Sequence, residues 1–424
     1  MLDRTGDRDC PNRVRDDRIP LNRIHTERIR TIRSLRTLRA RLAETETTRS
    51  AWPAEPVTVC LLITDLNIGG AEKAMVNLAF GLAKSRWRVH VINLGGEEPL
   101  AAKLRAGGIE VHCLGVSKRK PLQAIRSLAS LLRQIRPRLV QCFLFHANVA
   151  GRLGAWSAGV PWVLGGLRVA EHQKSWHLTV DRLTSWMSLG SVCVSEGVRQ
   201  FSITYGGISE DRLWVIPNGV DVRPFDAAAP LDKRSLGFDA SDRLGLFIGR
   251  LDPQKGLPYL LDAVEQVAAA RPRWKLIMTG REGTESEWFR ERVAESEILS
   301  RHVKWLGFRD DIPALLKTAE VLLLPSLWEG MPNVVLEAMA ASRAVIGTDV
   351  EGTHELVLPG ETGWLIPPEN TEALASAMSE AFDKPDRTKR YGEAGRKRVE
   401  AKYTLTGTIR AYESLWARVL GLDL

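Results

Sequence analysis

Two stretches in the back half of this 424-residue chain place charge beside glycine in a way that suits a diphosphate. Gly249-Arg250-Leu251-Asp252-Pro253-Gln254-Lys255-Gly256 follows an apolar run, 244–248, that reads as a strand. A guanidinium forks onto phosphate oxygens and an ammonium supplies a point charge, so Arg250 and Lys255 together could neutralise a diphosphate. Taken alone, the pair could equally be solvated surface. The second stretch, Glu329-Gly330-Met331-Pro332-Asn333-Val334-Val335-Leu336-Glu337, follows the apolar run 321–324. Pro332 suits a first helical position, which leaves Glu329 in a loop and puts Glu337 in the second turn. At a rise of about 1.5 Å per residue the carboxylates would lie roughly 10 Å apart. That is wide for the roughly 5 Å carboxylate pair of a retaining glycosidase. It suits two carboxylates holding hydroxyls at the ends of one extended ligand, with the helix N-terminus at its phosphate. The structural alternative is a capping glutamate followed by a buried, paired one.

These residues need elements to aim them. The runs at 57–64, 89–94, 110–114, 139–145, 162–167, 192–195 and 214–217 read as strands, with helical patterns such as 71–84 and 122–135 between them. After the turn-rich stretch 221–230 a second series begins, at 244–248, 274–279, 303–306, 321–324, 344–347 and 364–366. Near-continuous apolar strands alternating with helices indicate parallel sheets covered on both faces. The fold class is therefore α/β, as two successive Rossmann-like doubly wound domains of about 170 and 150 residues. The expected divisions are 1–54, an Arg-rich extension; 55–225, the first domain; 226–403, the second; and 404–424, a closing helix. That helix carries Ile409, Tyr412, Leu415, Trp416 and Leu420 on one side, with no strand after it to pair with. Ligands of open parallel sheets bind beyond the carboxyl ends of the strands, so the loops that follow strands are the ones that matter. One more is distinctive: Asp65-Leu66-Asn67-Ile68-Gly69-Gly70-Ala71-Glu72 leads from the first strand into a helix. Its paired glycines permit close approach of an anion or a sugar, or serve only strand-to-helix packing. It is not a Gly-x-Gly-x-x-Gly fingerprint, which argues against a nicotinamide enzyme.

With 44% apolar and 26% charged residues, the chain is of globular type, neither collagen-like nor mainly disordered. The net charge of +8 is unevenly spread: +5 over residues 1–50, +8 over 51–225 and −5 over 226–424. In residues 1–50 every basic side chain is Arg, and Ile29, Ile32, Leu35, Leu38 and Leu42 recur at helical spacing. A loosely ordered extension is expected there, with a helix on anionic lipid or a partner as the alternative. Five scattered cysteines form no Cys-x-x-Cys pair, so neither a disulfide framework nor a zinc site is expected, and a reducing cytoplasm is. The longest uncharged stretch, 153–167, contains Pro161 and is too short to span roughly 30 Å of bilayer. No signal peptide is read in the charged N-terminus.

Five stretches taken together resemble the group 1 retaining glycosyltransferases, glycosyltransferase family 4. They are Gly69 to Glu72, Ile216-Pro217-Asn218-Gly219-Val220-Asp221, Gly249 to Gly256, Glu329 to Glu337 (Glu-x7-Glu) and Gly360-Glu361-Thr362-Gly363. They occur in the family's order over about residues 57–400. The resemblance implies a GT-B architecture, with two domains facing a central cleft and a C-terminal helix crossing back to the first domain. It implies that Arg250 and Lys255, beside Gly249, stabilise the leaving diphosphate, while Glu329 takes the donor hexose and Glu337 the ribose hydroxyls. Backbone amides of Gly330, Met331, Pro332 (by position), Asn333 and Val334 would surround the sugar and phosphates. Gly69 and Gly70 would lie against the diphosphate, and Asn218 would line the cleft. His146 matches the family position near the donor hexose and the reacting oxygen. Glu171 and His172 are candidates for acceptor contact, and Phe308 and Arg309 for cradling the base.

The implied reaction moves a hexose from a nucleotide diphosphate sugar to a saccharide or lipid-linked acceptor, with retention. Polysaccharide, lipopolysaccharide or glycolipid assembly is its implied setting. No cofactor or metal is expected, because the only Asp-x-Asp, Asp7 to Asp9, lies in the extension. A non-hydrolysing sugar-nucleotide 2-epimerase and a non-catalytic carbohydrate-binding GT-B protein are the alternatives. Nucleic-acid binding is not expected, since stacking aromatics are not interleaved with the basic residues. Lys118, Arg119, Lys120, Arg126, Arg133, Arg136 and Arg138 could draw the first domain to an anionic membrane, a peripheral position on its cytoplasmic face. Trp176, Trp186 and Met187 read chiefly as buried packing.

Overall fold

The computed structural model describes residues 50–83, 86–116, 120–172 and 174–423. The Arg-rich helix expected near the N-terminus, and Lys118 and Arg119, lie outside the described residues.

Thirteen strands among the described residues form two parallel sheets. The first contains β1 (Val57–Ile63), β2 (Trp87–Asn93), β3 (Glu110–Cys113), β4 (Leu139–Phe143), β5 (Trp162–Leu167), β6 (Gly190–Cys193) and β7 (Leu213–Val215), in the order β3-β2-β1-β4-β5-β6-β7. The second contains β8 (Arg243–Ile248), β9 (Trp274–Thr279), β10 (Val303–Trp305), β11 (Val321–Leu324), β12 (Ala344–Thr348) and β13 (Gly363–Ile366), in the order β10-β9-β8-β11-β12-β13. Every strand read from the sequence is present. The reason is visible in the burial: β4 and β11 are buried at every residue, and β1 at all but Thr58, as helices on both faces require.

Each sheet reverses its order at one place, between β1 and β4 and between β8 and β11. Crevices open beyond the carboxyl ends of strands at such switch points. The four strands that flank them lead into the Gly69-Gly70 turn, His146, the Arg250 loop and the Glu329 turn. One boundary differs from expectation in a telling way. Strand β4 stops at Phe143, because Leu144 adopts φ 73° and turns the chain into the helix Phe145–Ala158. A bulky residue at positive φ is strained, and such strain collects where a site needs it. The turn moves His146 from a strand end to the first helical turn, where its side chain is exposed.

The closing helix, Leu405–Leu420, is capped by Thr404, whose hydroxyl accepts from the Gly407 amide at 3.1 Å. It leaves the second domain and buries Tyr412, Leu415, Trp416, Val419 and Leu420 in the core of the first. Trp416 meets Trp87 edge-on at 5.4 Å, and the Trp87 indole donates to Glu413 at 3.1 Å. Gly81 permits close approach of the helix Gly70–Leu82, since a Cβ there would lie 2.1 Å from Cδ1 of Ile409. Among the described residues no strand follows this helix; Leu422 forms an isolated parallel bridge with Ser50. Trp52, read as part of the extension, packs edge-on against Trp87 at 5.1 Å.

Truncating Trp416 removes a fully buried indole, so Trp416→Ala should lower stability by about 3–5 kcal/mol. Denaturant unfolding followed by circular dichroism measures it; an unchanged midpoint would contradict the docking of this helix.

Candidate active site

The loop after β8 is pinned before it carries any charge. Gly256 sits at φ 61°, and a Cβ there would lie 2.1 Å from the Pro325 carbonyl, so the turn packs flush against the end of β11. The Gln254 carbonyl accepts from the Leu327 amide at 2.8 Å, and the Gln254 side chain donates to the Trp328 carbonyl at 2.8 Å. These contacts deliver Lys255 to Glu329. The Lys255 ammonium lies 2.5 Å from Oε1 of Glu329, and that oxygen also accepts from the Ser326 hydroxyl at 2.8 Å. Both side chains are largely buried, at 15% and 9% exposure. Arg250 is different: its side chain is 60% exposed and held only loosely, with Nε 3.2 Å from Asp252.

The helix Asn333–Ala340 begins beside this pair. Its N-cap is Pro332, which offers no side-chain acceptor, so although the Val335 amide donates to the Pro332 carbonyl at 3.1 Å, the positive end of the helix is left for a ligand. Glu337, one turn in, has its carboxyl raised above the ordinary range by burial, while Lys73 of the first domain opposes that rise. Lys73, on the helix Gly70–Leu82, is thus near enough to act on Glu337 across the cleft.

On the facing side Gly69 is the N-cap of that helix, and Glu72 folds back over it, its carboxylate close to where a Gly69 Cβ would stand. Burial raises the Glu72 carboxyl; Asp65 adds to the rise, while Arg250 and Arg168 oppose it. A protein carboxylate therefore occupies the anion-binding end of this helix, within the field of the exposed Arg250. Exchange of that carboxylate for a ligand phosphate is electrostatically natural, since burial already disfavours its charge.

A chain of hydrogen bonds closes the cleft. Arg168 donates to Oδ1 of Asn218, Nδ2 of Asn218 donates to Oδ1 of Asn333 at 2.7 Å, and Nδ2 of Asn333 donates to the Gly70 carbonyl at 2.8 Å. Gly330 rests on the backbone of Arg168 and Val169, where a Cβ would come within 1.9 Å of the Arg168 carbonyl. Further contacts tie the domains: His172 to Glu351 at 2.9 Å, Glu355 to the Gly197 amide at 2.7 Å, and Arg281 to the Ile68 carbonyl at 3.3 Å.

The structure thus brings together Gly69, Gly70, Asn218, Gly249, Arg250, Lys255, Glu329, Gly330, Met331, Pro332, Asn333, Val334 and Glu337 around the two switch points. Met331 packs under Asn218, whose amide approaches its sulfur at 3.3 Å. His146 and Glu171 belong to a neighbouring cluster on the first domain. Glu171 holds His177 at 2.8 Å, and Phe145 stacks on His177 at 3.8 Å. His146 meets the same ring edge-on at 5.8 Å. A cavity of about 70 Å³ opens there, between Phe145, Glu171, His177 and Arg168. His172 is turned instead to the domain contact with Glu351. Phe308 is 49% exposed, and Arg309 is committed to a two-pronged pair with Asp311. Trp176 is not buried packing: it is 55% exposed, edge-on to Phe145 at 5.4 Å. Trp186 and Met187 are half-buried. The sequence reading passed over Arg168, Lys73, His177 and Glu351. Arg168 directly follows β5, and the strand-end rule applied there would have found it; the others depend on contacts distant in sequence.

Two doubly wound domains facing one cleft, a cationic loop opposite an acidic turn, and a closing helix returned to the first domain define a GT-B glycosyltransferase. The family models agree: Glycosyltransferase Family 4 matches residues 68–223 and Glycosyl transferases group 1 matches residues 229–398. The chain belongs to the group 1 glycosyltransferases, which decides for transfer over the epimerase reading. It is 26% identical over 292 residues to the UDP-Gal:alpha-D-GlcNAc-diphosphoundecaprenol alpha-1,3-galactosyltransferase of Escherichia coli, covering 66% of this chain and 75% of that protein. It is 28% identical to the alpha-maltose-1-phosphate synthase of Mycolicibacterium smegmatis, covering 72% and 89%. Among solved structures, HepE of Anabaena in complex with UDP-glucose superposes with a TM-score of 0.76 at 22% identity, covering 85% of this chain and 99% of that one. The last likeness is one of fold.

Lys255→Ala strands the Glu329 carboxylate in a largely buried place and should cost about 3–5 kcal/mol. The double variant Lys255→Met, Glu329→Gln should recover most of that stability. Chemical denaturation of the three proteins tests it; a double variant no more stable than Lys255→Ala would show that the pair is not coupled.

Proposed function

We propose that the protein transfers a hexose from a nucleotide diphosphate sugar to a saccharide or lipid-linked acceptor, with retention at the anomeric carbon. The observation that carries this reading is the meeting, at the β8/β11 switch point, of exposed Arg250, the Lys255–Glu329 pair and the uncapped helix at Asn333. UDP-galactose in the name of the E. coli relative and UDP-glucose bound to HepE support a nucleotide sugar as donor.

In this mechanism the glycosidic C–O bond to the diphosphate breaks and charge grows on the departing oxygen. Arg250 swings onto the diphosphate. Lys255, already within reach, shares its charge between Glu329 and the leaving group. Once seated on the bound donor, positive charge of this kind lowers the barrier because it needs no further reorganisation as the bond breaks. Glu329, oriented by Ser326, accepts hydroxyls of the donor hexose. Glu337 accepts ribose hydroxyls, which compensate a carboxylate that burial disfavours. The acceptor enters from the His146 and Glu171 side, where the cavity beside His177 lies; its hydroxyl oxygen forms the new bond to the anomeric carbon on the face the diphosphate leaves, and its proton passes to the departing phosphate oxygen. These cations supply the neutralisation that a bound divalent ion would otherwise provide, so transfer is proposed to need no added metal.

A thermal-shift panel of nucleotide sugars identifies the donor, because a true donor stabilises by mass action. With that donor, Arg250→Ala should slow transfer about 10²–10³-fold while its melting temperature stays unchanged, as expected for an exposed side chain that stabilises the transition state. Product NMR should show the anomeric configuration kept, and the rate should be equal with and without Mg²⁺. Full transfer by a folded Arg250→Ala variant would sink the assignment.

The acceptor side carries a surface suited to an anionic bilayer. No helix among the described residues is long and apolar enough to cross a membrane. The helix Pro121–Ile135 instead exposes Arg126 and Arg133, followed by exposed Arg136 and Arg138. Leu122 on this helix and Trp156 on its neighbour are 69% and 66% exposed. Arg133 reaches the Ser157 carbonyl at 2.8 Å, beside Trp156 in the chain. Basic side chains beside exposed apolar ones favour binding to anionic headgroups. Sedimentation should show binding to phosphatidylglycerol vesicles that weakens with salt and with Arg126→Glu; equal binding to phosphatidylcholine vesicles would overturn the proposal.

A further inference from the structure

The outer edge of the first sheet holds a cluster that the cleft does not use. His90 lies on β2, and Glu110 and His112 lie on β3. The parallel register pairs His90 with Glu110 and Ile92 with His112, so all three side chains leave the same face of the sheet. Nδ1 of His90 is 3.2 Å from Nε2 of His112 and 3.2 Å from Oε2 of Glu110. The ligand atoms of all three lie within 4.8 Å of one another, an arrangement no other set of His, Cys, Asp and Glu shares among the described residues. We propose that His90, Glu110 and His112 bind a divalent transition metal of the zinc class.

The geometry is close to what such an ion requires. Bonds of about 2.0–2.1 Å at tetrahedral angles place ligand atoms roughly 3.3 Å apart, which the two measured separations already approach. Two imidazoles and a carboxylate suit zinc, copper or nickel, whereas magnesium and calcium prefer all-oxygen sets. Metal binding needs neutral imidazoles, and burial lowers the pKa of both histidines, with Arg88 lowering His90 and Arg105 lowering His112 further. Glu110 opposes that effect and brings the negative charge that a cation would meet. The fourth position faces an open groove of about 420 Å³, lined by Thr58, Arg88 and the last turn of the helix Pro121–Ile135, with room for water. That turn presents the carbonyl end of the helix, which favours a cation. Arg88 works the other way, but its side chain is 55% exposed and lies 3.8 Å from Glu55.

The consequence is structural. Among the described residues strand β3, four residues long, ends the sheet and is paired on one side only. An ion held jointly by β2 and β3 clamps that edge strand to its neighbour, two strands from the β1/β4 switch point and outside the transfer reaction. The inference is therefore independent of the proposed donor and acceptor.

The full chain, freed of any affinity tag, is stripped with EDTA, desalted and titrated with Zn²⁺ by calorimetry, and with Co²⁺ by visible absorption. One equivalent should bind in the site, the Co²⁺ form should show the intense bands of low-symmetry four-coordination, and the melting temperature should rise by several degrees. His112→Ala and Glu110→Gln should each weaken Zn²⁺ binding at least tenfold. Glu110 is 64% exposed in its side chain, so Glu110→Gln tests the site even if His112→Ala folds poorly. Zn²⁺ affinity and thermal shift in Glu110→Gln equal to those of the parent protein, or no thermal shift in the parent, would overturn the proposal.

Discussion

The cleft depends on one half-buried guanidinium. Arg168, just after β5, has its Nε enclosed, and burial pulls its pKa below the ordinary arginine value despite help from Tyr412 and Glu72. A cation drawn in from water needs partners. Its partners come from places the chain visits far apart: Tyr412 on the closing helix, Asn218 in the loop after β7, and the ring of Phe143, 5.9 Å away at the end of β4. Through Asn218 it reaches Asn333, the first residue of the helix that faces the donor site. The closing helix thus does more than cover the first core. It places Tyr412 near the cleft arginine, and so brings the end of the chain to the site.

Charge in the cleft is arranged as exchangeable pairs. Lys255 has Glu329, Arg250 has a loose hold on Asp252, and the helix Gly70–Leu82 has the carboxylate of Glu72 over its N-terminus. Each positive feature that a diphosphate would use is already near a carboxylate. This keeps the site electrostatically balanced before a ligand arrives, and would let an incoming anion replace interactions instead of meeting bare charge. It also explains why a domain with a net charge of −5 can hold an anion: the local arrangement overrides the sum.

The central strands were legible in the sequence because they are buried on both faces, where apolar residues dominate; β4, β11 and the core of β1 show it most clearly. The loops beyond them were legible because Gly, Pro and charged residues mark strand ends. What misled was local. The run 139–145 is apolar throughout, and nothing in it announces that Leu144 turns at positive φ to start a helix. Trp176 is apolar and aromatic, yet it stands on a helix whose outer face borders the His146 cluster and is exposed.

By itself, then, the sequence determined the two sheets, the switch-point loops and the kinds of charge available at each, since these follow from periodicity and from residue chemistry along short stretches. Tertiary structure alone decided which charges meet. That Lys255 pairs with Glu329, that Arg168 rather than a glycine organises the cleft, that His172 serves the domain contact, and that His90 stands beside Glu110 and His112 all depend on contacts between distant segments. Hydrophobic periodicity is written residue by residue, whereas a long-range ion pair or ligand set exists only once packing has fixed the register of strands and the approach of domains.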